Sequence, residues 1–336
     1  MIRVVQTREM EISASRLPRW RGFNLLEKFW YDRNAPFRES DFQIISDWGF
    51  DFARLPMSYR CWASEEEPLK MDESVISEID QAIEWGKKYG VHVNLNLHRA
   101  PGYCVNTPPD EPYSLWEDQP AIEAFADTWR FFAKRYHGIP NQEVSFDLLN
   151  EPPDMEEGPY VWAMLAAIEA IREESPDRLI IVDGMKYGQE PVWGLVDAGV
   201  GQSTRGYLPF ELSHHKAGWV PHIKDWPTPM WPMNIRGKHW DRARLQEKCR
   251  SFVDLEAKGV GVHVGEWGCH NLTPHEVLLP WMDDLMGVWG ELGWGWGLWN
   301  LRGNFGVLDS ERADVSYEEF RGHQLDRKML EILLAH

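Results

Sequence analysis

Val144-Ser145-Phe146-Asp147-Leu148-Leu149-Asn150-Glu151-Pro152 runs for a strand's length, rich in Val, Leu and Phe, and then meets an acid and a proline. Proline has no amide hydrogen to give a sheet, so the backbone turns away there and leaves Glu151 at the strand's end. A second stretch repeats the pattern: Val260-Gly261-Val262-His263-Val264-Gly265-Glu266-Trp267-Gly268 ends on Glu266. Burying a carboxylate is costly unless it is paired, so an acid at the end of a buried strand is a poor choice for packing alone.

Working outward, short apolar runs alternate with longer amphipathic ones, the signature of βα units around a parallel sheet. Strands are expected at Trp20–Leu25, Phe50–Leu55, Val91–Leu97, Val144–Leu149, Leu179–Val182, Val200–Tyr207, Val260–Gly265 and Gly293–Trp299. Helical periodicity marks Asp72–Tyr89, Gln119–Tyr136, Gly158–Glu174, Trp240–Lys258, Pro274–Glu291 and Ser316–Leu334, with a weaker stretch at Gln189–Ala198. Eight such strands in a chain of 336 residues imply an α/β fold, one closed (β/α)8 barrel spanning residues 1–336. Met1–Arg19 precedes the first strand and is expected to cap the barrel floor. The long segments Arg99–Asp118 and His214–His239 follow strands three and six, where barrels build their active sites.

Composition narrows the ligand. A formal charge of −18 disfavours nucleic acid and anionic membranes, which reward Lys and Arg, whereas a neutral sugar tolerates it. Trp, at 19, outnumbers both Phe (14) and Tyr (10), and flat indole faces suit sugar rings as well as core packing. No window approaches the roughly 18 apolar residues of a membrane span. Met1–Met10 lacks the apolar core of a signal peptide, and Cys61, Cys104, Cys249 and Cys269 show no paired spacing. A cytoplasmic location is therefore expected, although a secreted protein whose leader lies outside this sequence would read the same. Oligomeric state is not legible.

Two carboxyls facing one cavity are what glycoside hydrolysis requires: one gives a proton while the other, ionised, attacks, at a separation of about 5–5.5 Å in retaining enzymes. Asn150, next to Glu151, can donate to a sugar 2-hydroxyl. Arg54, ending Phe52-Ala53-Arg54-Leu55-Pro56, and Tyr207 are the candidate donors to hold Glu266 ionised. His98 ends the third strand in Asn96-Leu97-His98-Arg99-Ala100-Pro101-Gly102, and Trp299 ends the eighth as a floor for a sugar ring. Taken singly, each of these residues has a packing role; six of them at six strand ends point to a site.

This ordered set resembles glycoside hydrolase family five, the cellulase family of retaining (β/α)8 glycosidases, over essentially the full length. The resemblance implies that Glu151 is the acid/base and Glu266 the nucleophile. It also implies that Asn150 contacts the 2-hydroxyl, while Tyr207 and Arg54 keep the nucleophile charged. One departure stands out. The family carries His-x-Tyr at the sixth strand, and here Arg205 precedes Gly206-Tyr207. A permanent cation pointing inward would lower the acid's pKa and impair proton donation; the alternative is that it faces a substrate hydroxyl or a neighbouring carboxylate. His214 and His215 follow and could return an imidazole to the rim, with Trp219 and Trp231 as further sugar-facing candidates. No cofactor is implied. A metal is not expected either, because His263 and Glu266 are three apart and should project to opposite faces of a strand. The expected substrate is a β-glucosidic or β-mannosidic oligosaccharide or glycoside, with exo-like or short-chain action, and with an endo-acting β-1,4-glucanase or mannanase as the alternative. The contrasting class is a sugar-binding barrel without turnover.

Overall fold

The computed structural model describes residues 12–221, 223 and 226–336. Eight strands close into a parallel barrel: β1 (Arg21–Asn24), β2 (Phe52–Ser58), β3 (His92–Ala100), β4 (Val144–Asp147), β5 (Ile180–Asp183), β6 (Gly201–Gly206), β7 (Val262–Trp267) and β8 (Gly295–Leu298). Each pairs with the next, and β8 pairs back onto β1. All eight expected strands are present, because strands buried on both faces read as near-continuous apolar runs.

The outer layer comprises α1 (Glu39–Asp47), α2 (Glu73–Tyr89), α3 (Gln119–Arg135), α4 (Glu157–Glu174), α5 (Arg242–Lys248), α6 (Arg250–Glu256), α7 (His275–Leu292) and α8 (Arg327–Ala335). In α2, Ile76, Ile79 and Ile83 share a buried face, Asp72 accepts the Ser74 amide at the N-cap, and Gly90 ends the helix in the left-handed region. Among the described residues no helix is long and apolar enough to cross a membrane.

Three helical expectations change. Gln189–Ala198 is only a 3-10 turn at Trp193–Leu195, since Pro191 interrupts the helix and the Gln202 side chain takes both the amide and the carbonyl of Val192. Trp240–Lys258 divides at Cys249 into α5 and α6. The first half of Ser316–Leu334 is a hairpin, Glu318–Phe320 with His323–Leu325, turning at Arg321-Gly322, both with positive φ; Asp326 then caps α8 by accepting the Met329 amide. All four cysteines are free thiols.

The bottom of the barrel is aromatic. Trp20 stacks on His92 at 3.6 Å between centroids, and Phe52 stacks on the same ring. Of the expected floor segment Met1–Arg19, residues 1–11, and with them the Met1–Met10 reading, lie outside the described residues. From Ile12 onward the chain passes beneath this cluster, with Ile12, Ala14 and Leu17 against Trp20, Phe52 and Leu179.

Candidate active site

Higher in the barrel the interior becomes charged. Asp147 (β4), Asp183 (β5), Arg205 (β6), Glu266 (β7) and Arg54 (β2) are all buried, with Asn150 and Glu151 just beyond β4. Arg54 donates through Nε to Asp147 at 2.8 Å, through Nη1 to Glu266 at 2.5 Å and to Asn24 at 3.0 Å, and through Nη2 to Asn150 Oδ1 at 2.9 Å. Arg205 faces it from the opposite wall. Its Nε donates to Glu151 Oε1 at 2.9 Å, and its Nη2 donates to Asn150 at 2.9 Å and lies 3.6 Å from Glu266 Oε1. One planar guanidinium thus spans Glu151 and Glu266, so the two acids share a single cavity.

A bulge aims Glu266. Val264 pairs with Thr204 and Glu266 with Arg205, leaving Gly265 as the extra residue. That insertion reverses the expected alternation, so His263 and Glu266 both face the interior, the former at the aromatic floor. Only glycine fits at 265: a Cβ there would stand 2.4 Å from Ser203 Oγ and 3.0 Å from Arg205 Nη1. Glu151 is aimed differently. Its backbone has φ 48°, a left-handed conformation that costs a non-glycine residue, and it is held by its amide donating to Asp183 at 2.8 Å and its carbonyl accepting from the Tyr103 hydroxyl at 2.6 Å.

The carboxyls are driven apart in acidity. Burial is the largest influence on both. For Glu151, burial and the charge of Glu266 outweigh Arg205, raising its pKa to about 8. For Glu266, Arg205 and Arg54 overcome burial and hold the group below the usual carboxylate range. The Tyr207 hydroxyl donates to Glu266 Oε2 at 3.2 Å. Arg205 therefore points inward as feared from the sequence, yet Glu151 remains the protonated member at neutral pH.

Around the pair, His98 binds Asn106 through Nε2 at 2.6 Å, and burial lowers its pKa to about 4, leaving it neutral. Its Nδ1, 4.0 Å from Glu266 Oε1, and the Asn150 amide nitrogen have no hydrogen-bond partner among the described residues. Trp299 is half-buried, edge-on to Phe29 and tilted against His98. The segment 101–118 is locked by the buried carboxylate of Glu111, which accepts from Arg99 and Tyr59 and pairs with Arg60.

Other candidates scatter. His214 stacks on Phe210 and lies edge-on to Tyr207 and Phe305, forming one wall with Trp219, which is 60% exposed and stands edge-on to His270. His215 is buried behind that wall, its carbonyl accepting from His270. Trp231 is turned away: its indole donates to Asp284 on α7, outside the barrel. Asp147, Asp183 and Asn24 are site residues that the sequence alone did not single out, although Ile180-Ile181-Val182-Asp183 carries the same signal of an acid ending an apolar run. Among the described residues no three His, Cys, Asp or Glu side chains are grouped to hold a metal ion.

Comparison with known proteins matches this chain to a family. The model described as Cellulase (glycosyl hydrolase family 5) matches residues 8–305. Endoglucanase C of Acetivibrio thermocellus is 27% identical over 306 residues, 83% of this chain and 88% of that protein. Cellodextrinase A of Ruminococcus flavefaciens is 26% identical over 264 residues, 76% of each. A solved structure described as a glycoside hydrolase superposes with a TM-score of 0.90 at 35% identity, covering 94% of this chain and 99% of that one.

Proposed function

From the premise that the chain belongs to the cellulase family, glycosyl hydrolase family 5, and is a glycoside hydrolase, we propose that it cleaves β-1,4-linked gluco-oligosaccharides internally by double displacement. In this reading Glu266 attacks the anomeric carbon while Glu151 protonates the leaving oxygen, and Glu151 then takes the proton from the water that releases the sugar. The observation that carries it is the divided acidity of two acids facing one cavity: a raised Glu151 and a lowered Glu266 are the protonation states the first step needs. Arg54 and Tyr207 favour the ionised nucleophile. The unpaired Asn150 amide is available to a 2-hydroxyl, and His98 Nδ1 to a neighbouring one.

Internal cleavage, rather than the exo-like action expected from the sequence, is favoured by the likeness to proteins named endoglucanase and cellodextrinase. The exposed indole of Trp219, backed by buried His214 and Phe305 beside Tyr207, adds stacking surface beyond one sugar ring. The deciding measurement is product length from cello- and manno-oligosaccharides of increasing size, beside aryl β-glucosides. Mixed internal products from the gluco series support the reading. Single-sugar release from one end overturns internal cleavage, and preference for the manno series overturns the gluco assignment.

A further inference from the structure

The family's sixth-strand imidazole is an arginine here, and a buried cation beside a proton donor ought to ionise it. The geometry shows what offsets it. Asp183, at the end of β5, takes both terminal nitrogens of Arg205, Nη1 to Oδ1 at 3.0 Å and Nη2 to Oδ2, while only Nε remains for Glu151. Ser203 Oγ and the Thr204 carbonyl fix the same guanidinium at 2.9 and 3.2 Å. Asp183 Oδ2 accepts the Glu151 amide as well, so a single carboxylate both neutralises the arginine and holds the backbone that presents the acid.

We propose that Asp183 is a positioning residue that neutralises Arg205, allowing this chain to keep a permanent cation next to its proton donor. The proposal rests on the reading of Glu151 as that donor. The other groups facing Glu151 are accounted for. Glu266 approaches from β7 and Asp147 lies below on β4. Tyr103 and Tyr207 contribute phenols pushed up by burial, and so neutral. Arg54 is engaged by Asp147 and Glu266, and Lys186 by Glu190. Among the described residues Asp183 is therefore the one acid paired to Arg205 through both of its oxygens.

The test is the pH profile of kcat/KM on an unactivated cello-oligosaccharide for the wild type, Asp183→Asn, Arg205→Gln and the double variant, with Glu151→Gln as control. Removing the Asp183 charge exposes Glu151 to an uncompensated cation, so the alkaline limb moves to lower pH, with about tenfold less activity above it for each unit moved. Arg205→Gln moves the limb to higher pH, and the double variant returns it toward the wild-type position. A 2,4-dinitrophenyl cellobioside, which needs no proton, shows little of this loss. An Asp183→Asn profile lowered at every pH with its limb unmoved overturns the proposal, because a merely structural aspartate would behave so. Where Asp183→Asn does not fold, Arg205→Gln alone decides, and an unmoved limb overturns it. Persistence of the limb in Glu151→Gln overturns the donor assignment instead.

Discussion

Glu151 and Glu266 each touch an arginine, yet one keeps its proton and the other loses it. The difference lies in the surroundings on each side of the cavity. Glu266 sits at the convergence of Arg54, Arg205 and the Tyr207 hydroxyl. Glu151 meets Arg205 through one nitrogen while looking across at a negative charge. A salt bridge alone does not decide a carboxyl's state; the balance of all charges within a few ångströms does.

The comparison breaks most sharply at Glu266. Glu266→Ala is expected to lower kcat/KM on aryl β-glucosides by more than about a hundredfold, the scale of one lost chemical group. Azide should restore turnover as an α-glycosyl azide; an unrescued enzyme, or a smaller loss, argues against attack by this carboxylate. On the opposite side, Glu151→Gln should cost about 10²–10⁴-fold on poor leaving groups and far less on dinitrophenyl ones. Equal losses across leaving groups would remove the donor role.

Tyr207→Phe deletes a donor to an ionised acid, an interaction of about 1.5–3 kcal/mol. Because that donor favours the charged form, its loss should shift the acidic limb of kcat/KM to higher pH; a fixed limb would mean that the hydroxyl does not bind the carboxylate. The smallest effect concerns stability. A carboxyl whose pKa rises from 4.5 to about 8 on folding stabilises the fold most below 4.5 and loses that contribution as pH climbs to about 8. Gln does not titrate, so the melting temperature of Glu151→Gln relative to wild type should rise between pH 5 and 8 and level off above. A constant difference would show that Glu151 is not raised.

Legibility in the sequence divides along a physical line. The strands were readable because both faces are buried, and the two acids because a charge at the end of an apolar run asks for a reason. Asp183 obeys that rule and went unread. The inward turn of Glu266 was not readable, because the bulge at Gly265 is a matter of register between β6 and β7 rather than of local pattern. Trp231 shows the same limit: nothing local tells an indole facing a cavity from one bonded to Asp284 on the far side of a strand. The hairpin at Glu318–Leu325 was signalled by Arg321-Gly322 but hidden by the helical periodicity around it.

The wall formed by residues 101–118 carries Tyr103 to the backbone of one acid and Asn106 to the imidazole beside the other, and it is pinned by one buried carboxylate, Glu111. Anyone reshaping substrate range by loop randomisation meets two unequal targets. Changes in this wall reach the reacting atoms within two contacts, so libraries built there should be rich in dead clones. The distal hairpin of the other wall, Met233–Trp240, buries Met233, Ile235 and Trp240 on the outside of the barrel, and its exposed positions, Asn234 and 236–239, offer the more tolerant ground for diversification.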